Sequence, residues 1–236
     1  LACTNNDVQE ELRYLNSFHD QNVDGIILIG TLFTAEHKER LKHLSVPIVI
    51  LAQRLDGYSC VYSDDYHASL DLTSRLAKTG HVFGYINAES RDEAVGHSRK
   101  KGFEDGLNQA GQEHAPRYYA EAVFSMESGY QMAKKLFTDH PDIDTLLCAT
   151  DTIASGALRY FHEQEIPVPE QVQIAGFGDS SIARATTPTL TTAHFFYEEA
   201  GSEAGKILLD MMQEKEHPLN RELKLGFSTI VRDSTR

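Results

Sequence analysis

The sequence lacks several features that would assign it to a function class. No window approaches the roughly 18 uninterrupted apolar residues of a membrane span, and the start shows no signal-peptide pattern. Basic residues are few: 22 stand against 35 acidic ones, for a net charge of −13. This balance argues against a nucleic-acid surface within the chain, although a separate basic domain upstream stays open.

Cysteine is scarce as well. Cys3, Cys60 and Cys148 are far apart, and each lies in or beside an apolar run, which predicts buried, reduced thiols in a cytoplasmic protein. No zinc-ligand spacing, GxSxG, GKS/T, HExxH or CxxC motif is present. The sequence therefore predicts no metal, no cofactor and no catalytic residue. The alternative from another class is a small α/β enzyme using Asp151 or Asp179 as a base.

What the sequence does contain is a repeated alternation of apolar strands and amphipathic helices. Strands are predicted at GIILIG, VPIVILA, CVYS, residues 82–86, 118–123 and 146–149, VQIAGFG, LTTAHF and residues 223–231. Fully apolar strands indicate parallel sheets covered by helices on both faces. About ten strands are too many for one compact sheet, so two Rossmann-like subdomains are predicted.

The stretch LLCATDTIASGAL places polar residues between a strand and a helix. In open α/β sheets ligands bind where strands end and helices begin, which favours a binding role for Thr150 and Asp151. A capping role for Asp151 on its own helix is the alternative.

Other loops after predicted strands carry further candidates. A cation near a helix start is disfavoured by the helix dipole, so Arg99 points to an anionic or polyhydroxyl ligand, with an ordinary surface arginine as the alternative. Phe124 is either a stacking surface or a core residue. The remaining candidates are Gln53, Arg54, His97, Gly178 and Asp179.

Several ordered motifs resemble the LacI/GalR family of bacterial transcription repressors. The run VQIAGFGDSSIARATTPTLTTAHFFYEEAG resembles the strand, G-[FY]-D loop, P-x-LTT and helix of that family. DTIASGALRYFHEQEIPVPEQVQIAGF, NVDGIILIG, VPIVILA, SRKKGF and SMESGY follow the order of their family counterparts. LLCATDTIASGA also resembles the branch in which trehalose- and sucrose-responsive repressors occur.

The resemblance implies a type I periplasmic-binding-protein-like fold, α/β, with two Rossmann-like subdomains, parallel sheets and a ligand cleft between them. It implies an N-terminal subdomain of residues 1–62 plus 193–220 and a C-terminal subdomain of residues 63–192 plus 221–236. The helix-turn-helix, the hinge helix and the first strand and helix of the regulatory core are expected to be missing.

Family positions that contact the effector correspond to Ala52, Gln53, Arg99, Phe124, Thr150, Gly178, Phe195 and Tyr197. Two of them depart from the family pattern, because Gly178 replaces a ligand-binding aspartate and Phe195 replaces a polar residue. Phe124 and Phe195 are expected to stack on the apolar face of a sugar. A sugar phosphate would suit Arg99, His97 and Arg54, since a dianion needs charge-assisted donors.

We therefore expect the effector-binding and dimerisation domain of a cytoplasmic LacI-type repressor that senses a sugar or sugar phosphate. Its other partners would be a second copy and operator DNA, the latter through a domain outside this chain. The alternative is a sugar-binding protein of a transport system, which would share the fold.

Overall fold

The computed structural model describes residues 1–213 and 219–236, and the chain divides into two compact units. The first unit comprises Leu1–Ser63 and Phe196–Leu225, and the second comprises Asp64–Phe195 and Gly226–Arg236. The chain thus passes from one unit to the other three times. None of the helices in the described part of the chain has the length and hydropathy of a bilayer-spanning segment.

The described residues form eight α-helices and ten strands. In chain order they are α1 (Val8–Asp20), β1 (Ile26–Ile29), α2 (Ala35–Lys42), β2 (Ile48–Leu51), β3 (Ser59–Ser63), α3 (Asp65–Leu76), β4 (Phe83–Asn87), α4 (Arg99–Gln109), β5 (Arg117–Glu121), α5 (Met126–Asp139), β6 (Thr145–Cys148), α6 (Asp151–Glu163), β7 (Gln173–Phe177), α7 (Ser181–Ala185), β8 (Thr191–Phe195), α8 (Tyr197–Gln213), β9 (Glu222–Leu225) and β10 (Phe227–Ile230). A π-helical segment, Glu93–Ser98, leads directly into α4.

The first unit contains a four-stranded parallel sheet in the order β1-β2-β3-β9. Ile50 and Cys60 face one core cluster, whereas Val49 and Val61 pack with residues of α8 in another. Consecutive residues of β2 are therefore buried on opposite faces, which explains why that strand is apolar throughout. In β1, by contrast, Ile27 and Ile29 are exposed.

The second unit contains a six-stranded sheet in the order β10-β8-β7-β6-β4-β5. Helices α3 and α4 pack on each other, as do α5 and α6. Only β10 runs antiparallel, to β8. The other five strands are parallel, so their carboxyl ends lie along one edge of the sheet.

The unit boundaries differ from those expected. Residues 193–195 complete β8, which pairs with β7 and β10, so they belong to the second unit. Residues 222–225 pair with β3 and belong to the first unit, as does Arg221. The expected single extended piece over 223–231 is thus two strands in different sheets. Residues 214–218, which the expected N-terminal subdomain included, lie outside the described residues.

Candidate functional site

The carboxyl edge of the six-stranded sheet is the candidate site of the second unit. Four polar or aromatic residues and one glycine end or follow its parallel strands: Asn87 ends β4, Phe124 follows β5, Thr150 follows β6, Gly178 follows β7 and Phe195 ends β8. Because parallel strands end at one edge, the topology brings these separate parts of the sequence together.

Arg99 lies at the start of α4 and is buried, with 6 % exposure. Its Nε and Nη2 atoms each lie 2.7 Å from Asp65 Oδ1, and Nη1 donates a 2.6 Å hydrogen bond to the Ala149 carbonyl oxygen. The guanidinium carbon also lies 4.9 Å from the ring centroid of Phe177 and 5.0 Å from that of Phe195. The carboxylate and the rings therefore hold the guanidinium in one orientation.

The helix dipole gives no reason to expect an anionic or polyhydroxyl ligand at Arg99. Asp92 accepts from Val95 N at 2.9 Å, so the helical stretch begins at the π-helical segment, well before Arg99. Asp65, moreover, supplies the compensating negative charge from within the chain. Sequence reasoning missed Asp65 because Asp64 and Asp65 both stand where α3 begins. Nothing in the sequence shows which of them caps the helix and which is available to pair with Arg99. In the structure Asp64 caps α3.

Thr150 rather than Asp151 caps α6, because the Thr150 hydroxyl accepts from Ile153 N at 3.2 Å. Asp151 is 2 % exposed. Its Oδ1 accepts from the Thr192 hydroxyl at 2.6 Å, and its Oδ2 accepts from Ser180 N at 2.8 Å. Asp151 thus ties the ends of β6 and β7 to β8. Burial raises the pKa of Asp151, and the hydrogen bonds from Thr192 and Ser180 offset only part of that rise.

The loop after β7 is shaped by its backbone. Gly178 has a φ of +127°, a conformation that favours glycine, and Asp179 follows with a φ of +47°. The Asp179 carboxylate binds Arg232 and lies 3.1 Å from His194 Nδ1. Burial raises the pKa of Asp179, but the charges of Arg232 and Arg184 and the hydrogen bonds from Arg232 and His194 outweigh it, so the pKa is lowered. Asp179 thereby anchors the chain segment after β10.

The two candidate aromatic residues of this edge differ in exposure. Phe195 is 1 % exposed and lies nearly parallel to Phe177, with ring centroids 6.5 Å apart. Its ring contacts Arg99, so it supports the guanidinium and does not present an open stacking face. Phe124 is half-buried against the core beside α5 and α6.

His97 is exposed in the π-helical segment. Asn87, which sequence reasoning missed, donates to the Gly96 carbonyl oxygen at 2.9 Å and thereby holds this segment against the end of β4. The part of the chain that the structure describes contains no group of three His, Cys, Asp or Glu side chains placed to hold a metal ion.

Three candidates belong to the first unit. Gln53 is buried and donates to the Thr31 carbonyl oxygen at 2.5 Å. Arg54 binds Glu222 at 2.9 Å and Asp56 at 2.8 Å, so two carboxylates already compensate its charge. Tyr197 is 56 % exposed at the start of α8. The other eight predicted residues belong to the second unit.

The chain is similar to a known protein family and to several transcriptional regulators. The model of the family described as "Periplasmic binding protein-like domain" matches residues 73–235. The sucrose operon repressor of Staphylococcus xylosus is 29 % identical over 220 residues, covering 91 % of this chain and 66 % of that protein. The HTH-type transcriptional regulator TreR of Escherichia coli (strain K12) is 31 % identical over 206 residues, covering 87 % of this chain and 62 % of that protein.

Among solved structures, a LacI family transcriptional regulator from Enterococcus faecium with bound ribose superimposes with a TM-score of 0.83 at 26 % identity. The superposition covers 94 % of this chain and 83 % of that one. The alignments span 66 % and 62 % of the lengths of the two curated relatives named above. The type I periplasmic-binding-protein-like fold expected from the sequence is confirmed.

Proposed function

Because the chain belongs to the periplasmic binding protein-like family and forms an effector-binding domain of the LacI/GalR type, we propose that it binds a sugar as the sensor of a DNA-binding repressor. The proposed site is the carboxyl edge of the six-stranded sheet. The repressor would act in the cytoplasm, where operator DNA is found, and would dimerise because operator half-sites mirror a two-fold axis.

The observation that carries this proposal is the fixed orientation of Arg99. Asp65, the Ala149 carbonyl oxygen and the rings of Phe177 and Phe195 hold the guanidinium before any ligand arrives. A planar, oriented set of N–H donors suits the vicinal hydroxyl oxygens of a sugar. Such preorganisation increases affinity because less conformational freedom is lost on binding.

The pairing of the candidate arginines favours a neutral sugar over a sugar phosphate, the two effector classes that the sequence left open. Arg99 is paired with Asp65, and Arg54 of the first unit is paired with Glu222 and Asp56. A phosphate that approached Arg99 would also approach the Asp65 carboxylate. At an effective dielectric constant of 20, two unit charges 4 Å apart interact by about 4 kcal/mol.

The contacts of Arg99 also suggest how effector binding would be transmitted. Asp65 comes two residues after the crossing at Ser63, and Phe195 is the last residue before the crossing at Phe196. A ligand on Arg99 therefore acts on residues that adjoin two of the three crossings. An effector that binds one arrangement of the units better would shift the equilibrium between arrangements, typically with a coupling of about 1–3 kcal/mol.

A thermal-unfolding series tests the ligand class. Sucrose, trehalose, ribose, glucose and glucose 6-phosphate would be titrated separately against the purified chain. A sugar at 100 times its Kd should stabilise the protein by about 2.7 kcal/mol. We expect at least one neutral sugar to raise Tm and glucose 6-phosphate to have no effect. A shift with glucose 6-phosphate alone would contradict the choice of a neutral sugar, and no shift with any compound would contradict the proposed function.

A further inference from the structure

The second unit has a separate pocket at the opposite, amino edge of its sheet. It measures about 190 Å³ and lies between the end of α3, the starts of β7 and β8, and the last residues of the chain described. Its apolar lining consists of Leu72 and Leu76, both almost fully buried, and of Val231, which is 63 % exposed. None of the candidate effector-binding residues lines it.

Three basic side chains line this pocket: Arg75, Lys78 and Arg236. Arg75 pairs with Asp71 at 2.8 Å. The Arg236 guanidinium donates to the backbone oxygen of Asp144 at 3.2 Å, and it has no ion pair within the described residues. Among the described residues, no ion pair to Lys78 is found within 4.0 Å. In the part of the chain that the structure describes, the Asp71 carboxylate is thus the one that pairs with any of these three cations, in a chain whose net charge is −13.

The neutral polar groups of the pocket are already engaged. The Gln173 amide nitrogen donates to the Leu76 carbonyl oxygen and to the Thr145 hydroxyl, each at 3.0 Å. The Thr191 hydroxyl lies 2.8 Å from that of Thr235 and accepts from Arg232 N at 2.9 Å. A neutral polar ligand would find few open partners here, so charge and apolar contact determine what the pocket can hold.

We propose that this pocket binds a small organic anion. Its anionic group, a carboxylate or a phosphate monoester, pairs with Lys78 and Arg236, and its apolar part covers the exposed side chain of Val231. The volume agrees with this ligand class, since an apolar cavity of about 150 Å³ holds a benzene molecule. The pocket is independent of the proposed effector site, because the two lie at opposite edges of one sheet.

Isothermal titration calorimetry with phenyl phosphate tests the pocket. We expect saturable binding that Lys78→Glu weakens at least tenfold, because the substitution replaces an attractive charge by a repulsive one. Lys134→Glu, an exposed reversal on α5, should leave the affinity within twofold of the parent. Arg99→Lys should also leave it unchanged, which separates this pocket from the effector site. Benzyl alcohol, the neutral probe, should give no binding.

Two results would overturn the proposal. Equal affinity of phenyl phosphate for the Lys78→Glu and Lys134→Glu variants would show that the pocket does not bind it. Equal heats from phenyl phosphate, inorganic phosphate and sodium chloride would show an adventitious ion only. Because Lys78 is exposed and makes no ion pair in the described part of the chain, Lys78→Glu should retain the parent's Tm.

Discussion

Arg99 and Asp65 form a buried ion pair, and the two residues depend on each other. Removing one partner of such a pair leaves an uncompensated charge and typically costs about 3–5 kcal/mol. Asp65→Ala should therefore lower the free energy of unfolding by that amount in urea denaturation. Glu10→Ala, which breaks the exposed pair with Arg13, should cost less than about 1 kcal/mol. Equal effects of the two variants would show that the Arg99–Asp65 pair is not buried in solution.

Asp151 holds the loop after β7 and the strand β8 in place by accepting hydrogen bonds from Ser180 N and the Thr192 hydroxyl. Thr192→Val keeps the side-chain shape and removes the hydroxyl that donates to Asp151. Leaving a buried acceptor with one partner fewer should cost about 1–3 kcal/mol in the free energy of unfolding. Thr229→Val, which removes a half-buried hydroxyl bound to the half-buried Asp71, is the matched control and should cost less. An unchanged stability of Thr192→Val would contradict the role given to Asp151.

Glu11 gives the first unit a pH dependence. Burial raises the pKa of Glu11 from 4.5 to about 7, and the neighbouring His37 has a pKa lowered by burial despite the opposing charge of Glu36. Since the folded state binds the Glu11 proton more tightly than the unfolded state, stability falls as pH rises between 4.5 and 7. The accumulated loss is about 3 kcal/mol at 1.36 kcal/mol per pH unit.

Glu11→Gln removes the titratable carboxyl and with it the loss of stability between pH 4.5 and 7. The variant should match the parent near pH 4.5 and exceed it in free energy of unfolding by up to about 3 kcal/mol at pH 8. Burial of neutral His37 works in the opposite sense, lowering stability as pH falls below 6.5. Because His37 Nε2 lies 3.1 Å from Glu11 Oε1, the two groups titrate as a pair, so the comparison above pH 6.5, where His37 is neutral in both proteins, isolates the effect of Glu11. A difference that is constant between pH 4.5 and 8 would contradict the raised pKa.

At the scale of elements, α5 and α6 approach closely through two glycines. A Cβ on Gly156 would overlap the Met126 carbonyl oxygen, and one on Gly129 would overlap that of Ile153. Gly156→Ala should therefore destabilise by about 1–3 kcal/mol despite the higher helix propensity of alanine. Gly205→Ala on α8, where no other described part of the chain lies within 4 Å of the added Cβ, should stabilise by about 0.5–1 kcal/mol. The same sign of change in both variants would contradict the close packing.

Most helices and strands could be predicted from the sequence because their local signals agree with their environment. The apolar runs of β2 and β6 become strands buried on both faces, whereas the equally apolar β1 leaves Ile27 and Ile29 exposed. Asp7, before α1, caps that helix as its position suggests. The π-helical segment before α4 could not be predicted, because it depends on Asn87 and Asp92 holding the loop after β4. Nor could the division of residues 223–231, since which sheet accepts each half is a tertiary property.

The sequence predicted several residues of the candidate site but not the contacts between them. The ends of strands indicated Thr150, Gly178 and Asp179, and the family motifs indicated Arg99. Periodicity and caps carry no information on partners distant in sequence, so the pairing of Arg99 with Asp65 became visible only in the folded unit. Predicted ligand contacts of the eleven candidate residues stay predictions.

At the scale of the whole molecule, the chain forms two α/β units and passes from one to the other three times. Its relatives are transcriptional repressors and regulators, and one similar structure holds ribose. The acidic net charge of −13 argues against a nucleic-acid surface within the chain itself. Sugar binding at one edge of one sheet is the central claim of this account.

Isothermal titration calorimetry of the sugar that raises Tm most tests that claim directly, with Arg99→Lys and Arg159→Lys compared with the parent. Arg99→Lys keeps the charge that Asp65 requires but removes the planar set of donors, so affinity should fall at least tenfold, about 1.4 kcal/mol. Arg159→Lys, an exposed change on α6, should leave Kd unchanged. Equal affinity of the two variants would contradict the placement of the effector on Arg99.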